Sequence, residues 1–555
     1  MGATRPGVPG PAPVPVTGAL AAFHAQSHDK NVVPVRTLFF GRTLGDPALR
    51  TTAGVPLPPS AREALAALRA ADAAGPAIGG PWPPGARLAA ACAEAVRVRR
   101  VSPADRYPVH RAYPSPRGLF GADLFLLPAE GEGWCLRMDP RTCALHPWAG
   151  SPLPADLESA LAGARIVVAV NHRRYPPEYG RLRPSLALLE GGHLAAALGL
   201  TLTRAGLAPR TAFAPEGIPV PEGFAPCALL TAPPVAYGTP GTAVAVGAVG
   251  TAADPGPRGA AGTPRTEVTT GAVEVAVAAG TAEAGPEAAT TAARGAAETP
   301  GAAVAAGTAS IAAAPGPRGT AGAAEAAGAV VIGAAGLAEV AAVAARPAAG
   351  TALRGWLDAR TSGVSTANLV TSAYVSPEDG AEVTGALVAA LAAAVPAVPA
   401  GTLRLDRIVL AGDRVDDRVA VELRPGGAGP DRPVPRTGDT NASSSLGFTL
   451  SVDFGPWARA FGDRAQTALH PLLGWVTQWG CLAAAGSGLC ARPMRNYTES
   501  EWAAVLGLGP DSTPAYQLWV RAERGAYLDL PVDAVLPDPS PSTTLNGCAS
   551  RADPP

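Results

Sequence analysis

Two stretches on opposite sides of a long low-complexity segment share one sequence pattern, and this repetition limits the folds open to the chain. Each stretch ends with a charged loop, an Ala/Leu-rich helix and a Gly-Leu stop, at Gly206-Leu207 and Gly488-Leu489. The first copy comprises Arg111–Leu127 and Tyr179–Leu207, and the second comprises Ala359–Gly363 and Phe461–Pro493. The pattern predicts a duplicated α+β unit that forms an internal pseudo-dimer. In such a chain, one composite site can be built at the interface between the copies.

Charge and cysteine usage exclude several classes of protein. The formal net charge of the 555 residues is −1, which gives no electrostatic footprint for nucleic acid or for an anionic membrane. Lys30 is the only lysine, so anion binding has to rely on arginine, whose planar fork suits phosphate. The 7 cysteines have no CxxC or paired spacing, which indicates neither a disulfide framework nor a zinc site.

Composition divides the chain into five predicted parts. These are a disordered leader (1–22), a first domain (23–237), an Ala/Gly-rich linker (238–350), a second domain (351–530) and a disordered tail (531–555). Within the linker, DPGPRGAAG at 254–262 recurs as APGPRGTAG at 314–322. A solenoid is the alternative, but the segment lacks large core residues and favours a disordered or loosely helical linker.

No targeting or membrane segment is predicted. The first residues lack a basic region followed by an apolar core, so they do not indicate a signal peptide. The longest apolar run, Ala323–Ala345, is interrupted by Glu325 and Glu339 and is too weak to span a bilayer. We expect a soluble, cytoplasmic protein.

Hydrophobic periodicity predicts helices and strands in both domains. Helices are expected at Ser60–Ala73 (with a Ser60 N-cap), Pro184–Leu207, Val383–Val395 and Ala468–Leu489. Strands are expected at Ala122–Pro128, Trp134–Asp139, Ala164–Asn171, Leu403–Gly412, Arg418–Pro425, Ser445–Phe454 and Ala515–Ala522. Helix Ala468–Leu489 is apolar nearly all round, which predicts burial on several sides, as at a dimer-like interface.

Six motifs give the chain a resemblance to a known family. The first domain carries FHAQSHDK (23–30), YPSPRGLFGADLFLL (113–127), WCLRMDPRTCALHPW (134–148) and YGRLRPSLALLEGGHLAAALGL (179–200). The second carries RTSG (360–363) and then GDRAQTALHPLLGWVTQWGCLAAAGSGLCARPMRNY (462–497). Both domains resemble nitroreductase-like flavoproteins, specifically the SagB-type azoline dehydrogenases. The tandem arrangement is most similar to thiopeptide-type dehydrogenases.

The resemblance implies FMN bound at the interface between the two nitroreductase-like domains. It assigns Arg360 and Ser362 to the phosphate, and Pro114, Ser115 and Gly118 to a turn that lines the isoalloxazine. Arg495 and Asn496 match the loop whose backbone N–H faces flavin N5, while Arg524 and Arg521 are weaker phosphate candidates. RTSG occurs only in the second domain and YPSPRG only in the first, so we expect at most one fully equipped FMN site.

Simpler interpretations of these motifs remain open. RTSG also suits an ordinary turn at a helix start, PMRNY (493–497) suits a plain loop after a helix, and arginines at strand ends are often solvated.

Two residues are candidates for proton transfer. Related azoline dehydrogenases carry a Lys-Tyr pair where this chain has Glu178-Tyr179, so either the phenol or the carboxylate is the catalytic group. We expect the neighbouring arginines, at positions 173, 174, 181 and 183, to lower the pKa of Tyr179. A Tyr179 that only covers the helix start is the alternative. His193 is interpreted as a packing residue.

The resemblance implies an FMN-dependent dehydrogenase that oxidises thiazoline or oxazoline rings in a ribosomally made peptide. Its expected partners are an azoline-containing precursor peptide and a cyclodehydratase or another peptide-modifying protein. Two alternatives stay open: a general NAD(P)H-dependent nitro or quinone reductase, and a non-catalytic scaffold with the same fold.

Overall fold

A computed structural model describes residues 54–71, 81–101, 107, 109–130, 133–148, 150–233, 330–344, 357–360, 371–373, 375–394, 397–399, 401–411, 420–424, 432–433, 444–524 and 530–531. These residues belong to one compact unit, which combines helices and sheets. The α+β part of the fold prediction is therefore confirmed.

Residues 54–233 form four helices and eight strands. The helices are α1 (Pro59–Ala70), α2 (Pro84–Val96), α3 (Leu157–Leu161) and α4 (Leu182–Arg204). The strands are β1 (Val98–Val101), β2 (Val109–Arg111), β3 (Ala122–Leu127), β4 (Leu136–Met138), β5 (Leu145–Pro147), β6 (Arg165–Val170), β7 (Arg210–Phe213) and β8 (Ala225–Thr231). Every residue of the apolar run in β3 is buried, as expected for a central strand.

The described residues from 330 onward form five helices and nine strands. The helices are α5 (Ala334–Ala344), α6 (Pro377–Ala394), α7 (Phe454–Phe461), α8 (Ala465–Gly486) and α9 (Glu499–Leu506). The strands are β9 (Val330–Ile332), β10 (Thr371–Ala373), β11 (Leu403–Ala411), β12 (Ala420–Arg424), β13 (Arg432–Pro433), β14 (Leu446–Asp453), β15 (Cys490–Met494), β16 (Ser512–Arg524) and β17 (Leu530–Pro531).

Two antiparallel sheets share the order of six of their strands. The first runs β5-β4-β3-β6-β8-β7-β9. The second runs β13-β12-β11-β14-β16, with both β10 and β15 paired to β16. In the first sheet these six strands are β5-β4-β3-β6-β8-β7, and in the second the corresponding six are β13-β12-β11-β14-β16-β15.

The long helices α4 and α8 cross at a pair of glycines. A side chain at Gly192 would clash with the carbonyl oxygen of Pro471, and one at Gly474 would clash with the carbonyl oxygen of Leu189. The contact is reciprocal, because each glycine meets the residue three positions before the other glycine. Two residues beyond the end of each helix, and 14 residues after its crossing glycine, lies another glycine, Gly206 or Gly488, and both have φ of 70°. This left-handed backbone favours glycine at a helix C-terminus.

Both helices are core elements. Helix α4 is long and apolar enough to cross a membrane by composition, but nearly all of it is buried inside the protein. Helix α8 is buried along almost its whole length, as its all-round apolar pattern predicts.

Each half also supplies a strand to the other. Strand β9 pairs with β7 in the first sheet, with Thr211 opposite Ile332. Strand β17, from the second half, pairs with β1 of the first half, with Arg100 opposite Pro531. Strand β9 and helix α5 fall inside the segment predicted as a linker, 238–350, so the end of that segment belongs to the folded unit.

Two local expectations were wrong. Helix α1 begins at Pro59 without a side-chain cap, because the fixed φ of proline suits the first helical position. The Ser60 hydroxyl donates instead to Glu158 at 2.7 Å. Pro493 and Met494, predicted to lie in a loop, are the end of β15.

Candidate functional site

The predicted lining turn, Pro114–Gly118, is a left-handed segment between β2 and β3. It contains a short 3-10 helix at Pro116–Gly118, and Arg117, Gly118 and Phe120 all have positive φ, at 54°, 64° and 50°. The Ser115 hydroxyl closes the segment by accepting a hydrogen bond from the Phe120 backbone N–H at 2.8 Å. We call residues 114–120 the left-handed turn.

Glu190 of helix α4 holds this turn from inside the core. Its Oε2 accepts hydrogen bonds from the hydroxyls of Ser115, at 2.5 Å, and Tyr175, at 2.6 Å. Its Oε1 accepts from the Ala122 backbone N–H at 3.0 Å. Burial raises the pKa of Glu190, against the effect of these three hydrogen bonds and of Arg111.

Arg360, the predicted phosphate ligand, lies beside the start of the same turn. It is 3% exposed, and its Nε donates to the carbonyl oxygen of Arg111 at 3.1 Å. Ser362 lies outside the described residues, so only the first residue of the RTSG motif is located. The structure thus brings Arg360 of the second half against Arg111 of the first, three residues before the left-handed turn.

Two further basic residues surround Arg360. Burial and then the Arg100 guanidinium lower the pKa of Arg360 to about 10. Burial lowers the pKa of His110 to about 3, with further lowering by Arg100 and Arg360. Arg100 and His110 are neighbours on the paired strands β1 and β2. We call Arg100, His110 and Arg360 the basic cluster. Arg360 is buried and the other two are half-buried, and basic groups held close together in this way are suited to an anion.

A buried ion network positions the segment that carries Arg360. Glu94 accepts from Arg99 Nη1 at 2.5 Å and from Arg97 Nε at 2.8 Å. Both arginines also reach Asp358 Oδ1 at 3.3 Å, and Arg100 Nη1 donates to the Asp358 carbonyl at 2.6 Å. Asp358, two residues before Arg360, is therefore bound to the first half at both its side chain and its backbone.

The PMRNY segment meets the first turn of α4. Arg495 is buried, and its Nη1 donates to the Ser185 hydroxyl at 2.5 Å. Burial lowers the pKa of Arg495. Asn496, the next residue, is exposed. The N-terminal half of α4 therefore contacts both the left-handed turn, through Glu190, and the PMRNY segment, through Ser185.

A buried polar chain links these elements across the two halves. Gln478 Nε2 donates to the Ala112 carbonyl at 2.9 Å, and Gln478 Oε1 lies 3.0 Å from His193 Nδ1. His193 Nε2 lies 2.9 Å from the Tyr516 hydroxyl. Burial lowers the pKa of His193 to about 3, so the ring is neutral at physiological pH. This neutral, fully bonded ring supports the interpretation of His193 as a packing residue.

Tyr179 lies at the end of a short 3-10 helix, Pro177–Tyr179, beside the left-handed turn. The Arg117 guanidinium carbon is 5.6 Å from the centroid of its ring. The expected lowering of its pKa by the arginines at 173, 174, 181 and 183 was wrong. Burial raises the pKa of Tyr179 to about 12, and the arginine that opposes this rise is Arg117. Arg174 instead contacts Asp123, at 2.6 Å.

Two predicted residues are located only by their backbone. The side chains of Glu178 and Arg524 lie outside the described part of the structure. Arg524 ends β16, where it pairs with Thr371 of β10. The other strand-end candidate, Arg521, is buried rather than solvated.

Sequence patterns did not single out Glu190, Ser185, Gln478, Arg100 or His110. For Glu190 there was a usable signal, because a lone carboxylate in the apolar run LLEGGHLAAAL is costly to bury without donors.

Comparisons with solved structures give weak likenesses, and two of these are to candidate nitroreductases. No protein family matches the sequence, and no curated protein is significantly similar to it. A candidate nitroreductase from Anabaena variabilis is 12% identical, with a TM-score of 0.48 over 91% of this chain and 99% of that one. A second, from Ralstonia eutropha, is 19% identical, with a TM-score of 0.22 over 34% of this chain and 86% of that one. Sequence identities and TM-scores this low do not establish a function for this chain.

Proposed function

We propose that this chain is an FMN-dependent oxidoreductase made of two nitroreductase-like halves that form an intramolecular pseudo-dimer. The shared strand order of the two sheets supports the duplication. The reciprocal contact of Gly192 and Gly474 supports a two-fold relation between the halves, since in an isologous interface each partner makes the same contact.

The basic cluster is the observation that carries the cofactor assignment. Arg100 and His110 come from the first half and Arg360 from the second, and all three lie on or against strand β2, which precedes the left-handed turn. Burial and then the Arg100 guanidinium lower the pKa of Arg360, and a phosphate dianion beside these two arginines would favour their charged forms. The cluster therefore fits the FMN phosphate, with Ser362 as an additional proposed donor.

The other proposed cofactor contacts follow from their position next to this cluster. Pro114, Ser115 and Gly118 of the left-handed turn would line the isoalloxazine. The backbone at Arg495 and Asn496 would offer an N–H toward flavin N5, where a fixed donor stabilises developing charge. Arg524 remains a secondary phosphate candidate.

We propose an azoline ring of a ribosomally made, thiopeptide-type precursor as the substrate. Oxidation of an azoline to an azole removes a hydride and a proton, and FMN, when bound, supplies the hydride acceptor. The proton has to be taken by a base of the chain. Tyr179, with its pKa raised to about 12, remains protonated at neutral pH and can act only as a donor to the ring. Its neighbour Glu178 is the proposed base.

The absorption spectrum of the purified full chain, followed by anaerobic reduction, tests this function. We expect a yellow protein whose flavin absorbance is bleached by a thiazoline-containing peptide, while the peptide loses two hydrogens. Bleaching by NAD(P)H but not by the peptide would contradict the substrate and favour a general nitro or quinone reductase. A colourless chain that does not take up FMN would contradict the cofactor and favour a scaffold that binds a cyclodehydratase or another peptide-modifying protein.

A further inference from the structure

Glu190 is a buried carboxylate to which the proposed chemistry gives no role. It is 1% exposed, and its two oxygens accept three hydrogen bonds, from Ser115, Tyr175 and Ala122. All three donors lie in or next to the segment that joins β2 to β3 or in the loop before α4. The carboxylate thus connects the proposed cofactor-lining turn to the central helix.

The left-handed turn needs support from outside itself. Arg117 and Phe120 are not glycines, yet both adopt positive φ, a conformation that costs free energy for residues with a Cβ. The Ser115 hydroxyl bonds the turn internally, to the Phe120 N–H, and externally, to Glu190. Removing the acceptor at Glu190 would therefore release the one serine that fixes both ends of the turn.

The second half of the chain shows that the fold does not require this carboxylate. Glu190 is two residues before Gly192, and the residue two before the reciprocal glycine, Gly474, is Leu472, which is fully buried. The same register places Trp457 at the position of Tyr175. Trp457 donates to the Thr402 hydroxyl at 2.9 Å and is fully buried. Equivalent helices and strands are therefore built in the second half with leucine in place of glutamate.

We propose that Glu190 is a positioning residue of the cofactor site, which holds the left-handed turn against helix α4 through Ser115, Tyr175 and the Ala122 N–H. This inference rests on the proposed FMN function, because the turn matters through what it lines. It accounts for a glutamate at this helix position in the first half, where the left-handed turn follows Arg111, and for a leucine at the equivalent position in the second.

The test replaces Glu190 by leucine, the residue that the second half uses, and by glutamine, which keeps an acceptor oxygen. We expect Glu190→Leu to fold but to bind FMN roughly 10- to 100-fold more weakly, as for lost hydrogen bonds to a charged group. At saturating FMN, the visible circular dichroism of the flavin should differ from that of the wild type. Glu190→Gln should restore part of the FMN affinity and part of the wild-type circular dichroism of the flavin. Leu472→Met, at the equivalent position in the second half, is the matched control and should leave both unchanged.

Ser115→Ala tests the same hydrogen bond by removing its donor. The effects of Ser115→Ala and Glu190→Leu on FMN affinity should be clearly less than additive in the double variant, because both substitutions remove the same hydrogen bond between Ser115 and Glu190. The inference would be overturned if the Glu190→Leu and Glu190→Gln variants had the FMN affinity and flavin spectrum of the wild type. It would also be overturned if the effects of Ser115→Ala and Glu190→Leu on FMN affinity were fully additive. If Glu190→Leu does not fold, Glu190→Gln and Ser115→Ala still decide it. A wild-type chain without FMN would instead contradict the proposed function itself.

Discussion

At the scale of residues, the proposed site depends on charges that are buried for a purpose other than stability. Arg360 is inside the protein next to Arg100 and His110, and Glu190 lies under a turn that a leucine could not hold. Burying a charge costs free energy unless a partner compensates for it. For the basic cluster we propose a phosphate as an additional partner.

Arg360→Ala should lower FMN occupancy. The loss of a charge-assisted hydrogen bond is worth about 1.5–3 kcal/mol, or about one to two decades in the dissociation constant. Fluorescence titration of the apoprotein with FMN measures the change. Arg141→Ala, at an exposed arginine, is the control and should bind like the wild type. Equal flavin retention by the two variants through dialysis would remove Arg360 from the site.

Tyr179→Phe and Glu178→Gln separate a donor from a base. Both variants should bind FMN nearly normally. General acid–base roles are typically worth about 10²–10⁴ in rate, so Glu178→Gln should oxidise an azoline peptide slower by that factor. Tyr179→Phe should slow turnover without moving the pH–rate profile between pH 6 and 9, because its pKa of about 12 lies above that range. Wild-type turnover by both variants would place catalysis elsewhere.

At the scale of elements, the crossing of α4 and α8 determines how the halves meet. The backbones approach so closely at Gly192 and Gly474 that neither position has room for a methyl group. The two crossing helices also carry side chains of the proposed site: Ser185, Glu190 and His193 lie on α4, and Gln478 lies on α8.

Gly192→Ala should destabilise the protein. The added Cβ meets a backbone carbonyl rather than a flexible side chain, so the helices have to separate; overpacking of this kind typically costs about 1–3 kcal/mol. Thermal unfolding monitored by circular dichroism measures the loss. Gly509→Ala, at an exposed glycine with open space around its Cβ position, is the control. A Gly192→Ala melting temperature equal to that of the control would show that the crossing is not tightly packed.

Elements with strong local patterns were predictable from the sequence, and those fixed by distant partners were not. The apolar runs that form β3 and β6 and the helix ending before Gly488 were predicted within a few residues. Strand β15 was missed because CARPM contains proline and arginine and is ordered by pairing with β16. Strand β9 has only Val330–Ile332 in an Ala/Gly-rich context, and its partner β7 is more than 100 residues away.

The candidate site shows the same limit. Arg360 and Ser115 were found through motifs, whereas Arg100 and His110 join them only through the pairing of β1 with β2. No local pattern encodes that register.

At the scale of the whole molecule, the two halves are joined by exchanged strands as well as by the helix crossing. Strand β9 completes the edge of the first sheet, and buried residues of α5, Leu337 and Val340, pack into the common core. The segment predicted as a linker, 238–350, therefore has two parts with different expected roles: the part before β9, and the part that forms β9 and α5.

Deleting residues 240–320 should leave folding and flavin content intact. Strands β8 and β9 both flank β7, so the 15 residues that remain between positions 233 and 330 are long enough to join them. Extending the deletion to residue 344 removes β9 and α5 and should greatly lower the melting temperature or the yield of soluble protein. Equal stability of the two deletion variants would contradict the structural role of β9 and α5, and loss of FMN from the shorter one would show that the deleted segment contributes to the site.

The amount of FMN released per chain tests the central claim most directly. In the proposed pseudo-dimer, the left-handed turn and the Glu190 and Tyr175 side chains that hold it occur in the first half, and the second half has Leu472 and Trp457 at the positions equivalent to Glu190 and Tyr175. Denaturing the FMN-saturated protein and quantifying the free flavin against the protein concentration should give a ratio near one. A ratio near two would show that both sides bind the cofactor, and a ratio near zero would show that the composite site does not hold FMN.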